Sequence, residues 1–257
     1  MIAGSMSKYI NPPSVLQLQS DRRDNEWVLA DIPQTATRDH DFFDLLIQNA
    51  NLPSSYRYAI TDSGTLVIRS DYPQAAFSDD DDSEYTGEFG VLDSTDSASA
   101  ARRSDQDADP LHLAKAACSC RSGRWTCVER SDGSIAVDLE LRTGAASVSI
   151  DASADGLELC VDLLTIDSDD RTNPKVCESL GLFLLRVSGA VHMIRPQATC
   201  NGDQVSVQLL IFIPSKAVHR RLLHALASLS VAASTCRTEC RMLLDPSLAD
   251  IFLMTDQ

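Results

Sequence analysis

The sequence predicts an α+β fold, an antiparallel sheet packed against helices, built around two related helix–hairpin units. Three observations lead there. First, the apolar period switches repeatedly between about two and about 3.6 residues along the chain. Second, Asp109-Pro110, Asn173-Pro174 and Asp245-Pro246 each place a capping side chain directly before a proline, the strongest local signal for a helix start. Third, one pattern occurs twice. An apolar helix from Phe42 to Asn49 precedes the strands Tyr56–Ile60 and Leu66–Pro73, and an apolar helix from Leu180 to Ser188 precedes the strands His192–Ala198 and Val205–Pro214. Ten residues separate Asn49 from Ala59, and ten separate Ser188 from Ala198. Such internal similarity points to a duplicated or pseudo-symmetric scaffold.

In chain order, Pro12-Pro13 breaks regular structure within residues 1–20, and Glu26–Ile32 alternates as a strand before Pro33. Asp39 or Asp41 caps a helix that Leu52-Pro53 ends, and the first hairpin follows over residues 55–73. Residues 74–109 hold eleven acidic side chains against two basic ones and are rich in Asp, Ser and Ala. They bury too little apolar area to offset chain entropy and predict an acidic flexible linker, with one apolar island at Tyr85, Phe89, Val91 and Leu92. That island reads either as a local dock on the domain surface or as a short strand on a sheet edge that competes with a partner.

The division is therefore 1–73, a partial N-terminal unit; 74–109, the linker; and 110–257, a C-terminal α+β unit. In the last, Leu111, Ala114 and Cys118 share a helix face. Arg124–Arg130, Ser134–Arg142, Ala146–Asp151 and Gly156–Ile166 are strands, with Asp132-Gly133 turning between the first two. The sheet is expected over 124–166 and 191–213, under helices at 174–188 and 215–236. Helix 174–188 carries Val176, Leu180, Phe183, Leu184 and Val187 on one stripe, with Leu182 and Leu185 off it. A helix apolar nearly all round needs cover on two sides. The long helix from Ser215 buries Val218, Leu222, Ala225, Leu226, Leu229 and Ala233, and a terminal helix carries Leu248, Ile251, Phe252 and Leu253. Trp27 and Trp125 read as core anchors.

The formal charge is −15, from 37 acidic and 22 basic residues. This balance argues against nucleic acid and anionic membrane surfaces and suits a basic partner. No stretch approaches a membrane span or a signal peptide, so a cytoplasmic location is expected. No phosphate loop, dinucleotide fingerprint, His-Glu-x-x-His or Gly-x-Ser-x-Gly appears, and the five histidines are scattered. No catalytic residue and no cofactor is therefore expected. The eight cysteines, among them Cys118-x-Cys120 and Cys236-x-x-x-Cys240, lack the paired C-x-x-C spacing of structural zinc sites and read chiefly as buried free thiols. Metal binding through these clusters stays open as an alternative. Asp167, Asp169 and Asp170 fall in an expected loop, either solvated or holding a hard cation.

The order helix, strands, helix, two strands, helix over residues 110–236 resembles the class I type III secretion chaperone fold, shared with YbjN-type families. Helix Pro174–Ser188, the hairpin His192–Phe212 ending at Pro214, and helix Ser215–Cys236 carry the resemblance. Residues 26–73 match its later part, a helix plus hairpin, without the preceding set of strands. The resemblance implies a small acidic protein that binds protein or peptide clients without catalysis, as a chaperone holding an extended segment or as a regulatory domain on a folded partner. It also implies a pairing helix at Pro174–Ser188, contacting through Leu182 and Leu185. Phe43 and Ile47 on the 41–51 helix would be its mates, giving a monomeric pseudo-dimer or, if the pairing runs between chains, a homodimer.

Overall fold

The computed structural model describes residues 27–34, 41–52, 56–73, 111–112, 114–115, 126–131, 133–141, 144–153 and 156–255. Residues 1–20, the acidic segment 74–109, Trp125, Cys118 and Cys120 lie outside them, as does the side chain of Trp27.

The strands are β1 (Trp27–Pro33), β2 (Arg57–Ile60), β3 (Leu66–Pro73), β4 (Thr126–Glu129), β5 (Ile135–Leu141), β6 (Gly144–Ser153), β7 (Gly156–Ile166), β8 (Arg195–Asn201) and β9 (Gln204–Pro214). The labelled helices are α1 (Phe42–Asn49), α2 (Ser168–Arg171), α3 (Pro174–Ala190), α4 (Val218–Leu243) and α5 (Pro246–Thr255). Residues 111–112 and 114–115 are also helical, and Ala114 is buried. All strand pairs are antiparallel. They form a three-stranded sheet in the order β1-β3-β2 and a six-stranded sheet in the order β4-β5-β6-β7-β9-β8. The fold is α+β.

Alternation decides which face of the large sheet is covered. Ile135, Val137 and Leu139, Ala146, Val148 and Ile150, Leu157, Leu159 and Val161, and Val205, Val207, Leu209, Ile211 and Ile213 all point to one side and are buried. Helix α4 lies on β5, β7 and β9 and seals this side with Val218, Leu222, Ala225, Leu226, Leu229 and Ala233. The opposite face carries Asp138, Ser147, Asp151 and Asp162, all exposed, since such side chains keep their water. Three strands are tied there side chain to side chain: Gln197 Nε2 donates to Gln208 Oε1 at 3.0 Å, and Gln208 Nε2 to Asp162 Oδ1 at 2.8 Å.

Several boundaries differ from the sequence expectation. The long helix opens with a 3-10 turn at Ser215–Ala217 and runs to Leu243, past Cys236, because nothing breaks it before Asp245-Pro246. Helix α3 continues to Ala190, and the chain then turns through Met193 at φ 64°, so β8 begins at Arg195, not at His192. Pro196 sits within β8, which is tolerated because β8 is an edge strand. The aspartates expected in a loop border or join the helical turn α2. β1 is more than an isolated strand. It pairs with β3 along Trp27↔Pro73 to Pro33↔Val67, so the strand expected at Glu26–Ile32 joins the sheet of the hairpin that follows α1.

That strand completes the repeat. β1-α1-β2-β3 and β7-α3-β8-β9 have the same order, and in both sheets the second hairpin strand sits between the first hairpin strand and the strand before the helix.

Candidate functional site

The strongest candidate is the joint where the two β-α-β-β units meet. Each helix starts at a side-chain cap. Asp41 Oδ1 accepts from Phe43 N at 2.9 Å, and Asn173 Oδ1 accepts from Lys175 N at 3.1 Å, with Pro174 at the first helical position. The helices then cross over: α1 packs on α3 and on β8, and α3 packs on β2. Each helix is engaged more extensively with the other unit's first hairpin strand than with its own.

Glycine makes the close approach. A Cβ on Gly181 would lie 2.5 Å from both Phe42 C and Phe43 N, so the first turn of α1 sits directly on the α3 backbone. About two turns further along the same face, a Cβ on Gly189 would meet the Ile60 carbonyl, its carbon at 2.8 Å. Gly181, Leu185 and Gly189 are spaced by four and share a face. Leu185 between them is fully buried, Phe43 is buried, and Ile47 and Leu182 are partly buried and packed against the core.

Polar groups at equivalent places complete the joint reciprocally. Asn49 ends α1 and Ser188 lies near the end of α3, and both are fully buried. Asn49 Nδ2 donates to Pro196 O in β8 at 2.8 Å while its Oδ1 accepts from Tyr58 N at 2.7 Å. Ser188 Oγ donates to Tyr58 O in β2 at 3.0 Å, with Ile194 O at 3.3 Å. The first residue of each facing strand is an arginine. Arg57 of β2 donates to Ser188 O from Nε at 3.3 Å and Nη2 at 3.2 Å, and to Ser188 Oγ at 3.0 Å. Arg195 of β8 donates from Nη1 to Leu52 O at 3.3 Å, just beyond α1. Cations at the carbonyl end of a helix meet its negative pole. Arg69 of β3 adds a third clamp, donating from Nη1 to Gly189 O and holding Asp31 of β1 at 2.7 and 2.8 Å.

Burial lowers the Arg195 pKa, Glu158 at 3.9 Å opposes the shift, and nearby Arg57 adds to it. Arg57 and Arg195 therefore feel each other across the joint.

The cysteines divide. Among the described six, Cys177, Cys236 and Cys240 are buried, Cys127 and Cys160 half-buried, and Cys200 exposed, where β8 ends at the hairpin turn. Burial pushes the Cys160 and Cys236 thiols up to about 12 and Cys177 to about 11, with nearby carboxylates adding to the shift at each. These thiols are protonated at neutral pH and are poor ligands or nucleophiles. Among the described residues no three His, Cys, Asp or Glu side chains come together to hold a metal ion, and no helix is long and apolar enough to cross a membrane.

Sequence reasoning missed Gly181, Gly189, Asn49, Ser188, Arg57 and Arg195. Two polar residues closing two apolar helices at matching places in the repeat was the available signal for Asn49 and Ser188. It also missed that α5 shows Leu248, Ile251 and Met254 to solvent, with Met242 nearby in sequence. No protein-family model, curated protein or solved structure matches the chain.

Proposed function

We propose that the chain is a non-catalytic binding module that holds an extended segment of a protein client in the cytoplasm, in the manner the secretion-chaperone resemblance implies. One observation carries the reading: the two β-α-β-β units pair reciprocally inside one chain, through the helices that the resemblance assigns to pairing. The joint consumes α1 and α3, so a client would use the outer strand edges and the polar sheet face. Main-chain hydrogen bonds along an edge give affinity to an extended segment with little demand on its sequence. The acidic balance favours a basic client.

A second reading, a YbjN-like regulatory domain on a folded partner, draws support from the exposed Leu248, Ile251 and Met254 of α5. Scattered exposed apolar residues are ordinary, but three at helical spacing on one short helix form a surface a folded partner can cover. Co-purification from the native cell followed by mass spectrometry separates the two. A single client captured through a disordered N-terminal segment supports the first. A folded partner lost on Ile251→Asp supports the second and overturns the first. Recovery of the full chain with no partner, in repeated purifications, contradicts both.

A further inference from the structure

The pseudo-symmetry relates the two paired helices residue by residue. Setting Asn49 on Ser188 also sets Leu45 on Leu184 and Leu46 on Leu185, and all six are buried. The same alignment sets Phe42 on Gly181. Contacts across the joint are exchanged as in a two-fold pair. Asn49 donates to the carbonyl of Pro196 at 2.8 Å, and Ser188 to that of Tyr58 at 3.0 Å. Each helix end thus reaches the second residue of the other unit's first hairpin strand. In such an arrangement residue i meets j and j meets i, and a group on the axis meets its own equivalent. Phe42 and Gly181 are equivalents that meet: a Cβ on Gly181 would lie 2.5 Å from Phe42 C and 2.8 Å from Phe42 Cβ. The pseudo-axis therefore passes between them.

Flanking positions repeat the same residue in both units, leucine on leucine and Arg57 on Arg195. At the axis the two residues differ most: one has no side chain and the other carries a phenyl group. The steric consequence is direct. α1 lies close on α3 because position 181 has no Cβ. Two α1 helices closing in the same way would put a Phe42 Cβ where Gly181 has only hydrogen. That atom would overlap the facing main chain, which cannot swing aside. Two α3 helices would set glycine on glycine, and neither would supply the side chain that Phe42 packs against the core. Choosing between similar partners needs such a repulsive element, because the flanking leucines are common to both units.

We infer that Phe42 and Gly181 set the pairing specificity of the joint. They admit the unlike unit, N-terminal against C-terminal, and turn away the like unit of a second copy. The pair decides how the two units choose each other, and it stands apart from the binding-module reading.

Exchanging the two residues in the full chain tests this. Gly181→Phe sets phenylalanine on phenylalanine, and should raise the equilibrium constant for urea unfolding about a hundredfold or more. Phe42→Gly alone should raise it too, by removing a packed side chain. The chain carrying both substitutions again has one residue of each kind at the axis. Its unfolding constant should lie at least about tenfold below the product of the two single effects. Two positions that serve only their own helices would multiply their losses instead, so a smaller coupling overturns the assignment. Where Gly181→Phe does not fold, Gly181→Ala takes its place in the same cycle under the same criterion. Isotope-filtered Overhauser spectra of mixed labelled and unlabelled wild-type chains read the second half of the inference. No cross-chain contact between α1 and α1, or between α3 and α3, is expected at any concentration, and such a contact overturns the exclusion of like units.

Discussion

Gly181→Ala tests the joint through the sign of its effect. On an α-helix without a close neighbour, replacing glycine by alanine stabilises by about 0.8–1 kcal/mol, because alanine has less backbone freedom to lose. At Gly181 the added methyl would lie 2.5 Å from Phe42 C and Phe43 N and 2.8 Å from Phe42 Cβ. Two of these atoms belong to the α1 backbone, which cannot swing aside as a side-chain end can. Relief requires α1 to move by about 1 Å off α3, which disturbs the Asn49 bonds and the packing of Phe43. Overpacking of this kind costs about 1–3 kcal/mol, and the contact with backbone places it toward the upper end. The net expectation is destabilisation by about 1–2 kcal/mol, after the helix-propensity gain is subtracted. Urea unfolding followed by circular dichroism measures it, and a thermal midpoint lower by about 2–4 °C for each kcal/mol accompanies it. Amide exchange in α1 should quicken while α4 keeps its protection. A Gly181→Ala protein more stable than the parent by about 1 kcal/mol would mean that α1 does not rest on α3, and the reasoning would fail.

Other substitutions and conditions probe the same account. Asn49→Ala strands Tyr58 N and Pro196 O without their partner, and should cost about 1–3 kcal/mol for each buried group left unsatisfied, read by equilibrium unfolding. Leu185→Ala at a fully buried site should cost about 2–5 kcal/mol; Leu185→Asp and Phe43→Asp should loosen the two units further, visible as proteolysis between them, and undiminished resistance would contradict the packing. The buried thiols give a pH signature. The folded pKa values of Cys160 and Cys236 lie near 12 against 9.0 for the free group, so the stability they lend is whole below pH 9 and is lost as pH rises from 9 toward 12. Replacing both by Ala should flatten that alkaline decline in urea-unfolding midpoints. Among the described cysteines Cys200 should react first with iodoacetamide at pH 8 and Cys240 last, by peptide mass mapping.

The secondary structure was legible where periodicity and punctuation agreed. Asn173-Pro174 marked the start of α3 to the residue, and the alternation of Leu157, Leu159 and Val161 gave β7 its buried face. The repeat was visible as a helix and hairpin because spacing survives divergence. The strand before the first helix was also legible from its alternation, but its place in the repeat escaped, since a strand's partner is set by contacts far along the chain, and nothing local to Trp27–Pro33 names β3. The joint was legible only as surplus: too much apolar surface on α3 for one core face. Which atoms make it was not, because Gly181 inside an apolar helix looks like a defect until the opposing backbone is seen. Arg57 and Arg195 likewise read as ordinary strand-end charges, and their work on helix carbonyls depends on two units meeting. The cysteines were expected to be chiefly buried, and Cys200 departs from that because it lies where β8 leaves the core for the turn at Gly202 and is exposed. The outward Leu248 and Ile251 of α5 followed the apolar pattern of a buried helix, and only the arrangement of α3, α4 and α5 determines which side faces water.

Two β-α-β-β units of one chain close on each other through α1 and α3. The most direct measurement is an isotope-filtered nuclear Overhauser experiment on an equal mixture of labelled and unlabelled protein, observing the Gly181 α-protons against the amides of Phe42 and Phe43. Strong contacts within a single chain are expected, and none across chains. Contacts that appear only between labelled and unlabelled chains, or no contact between Gly181 and α1 at all, would contradict it.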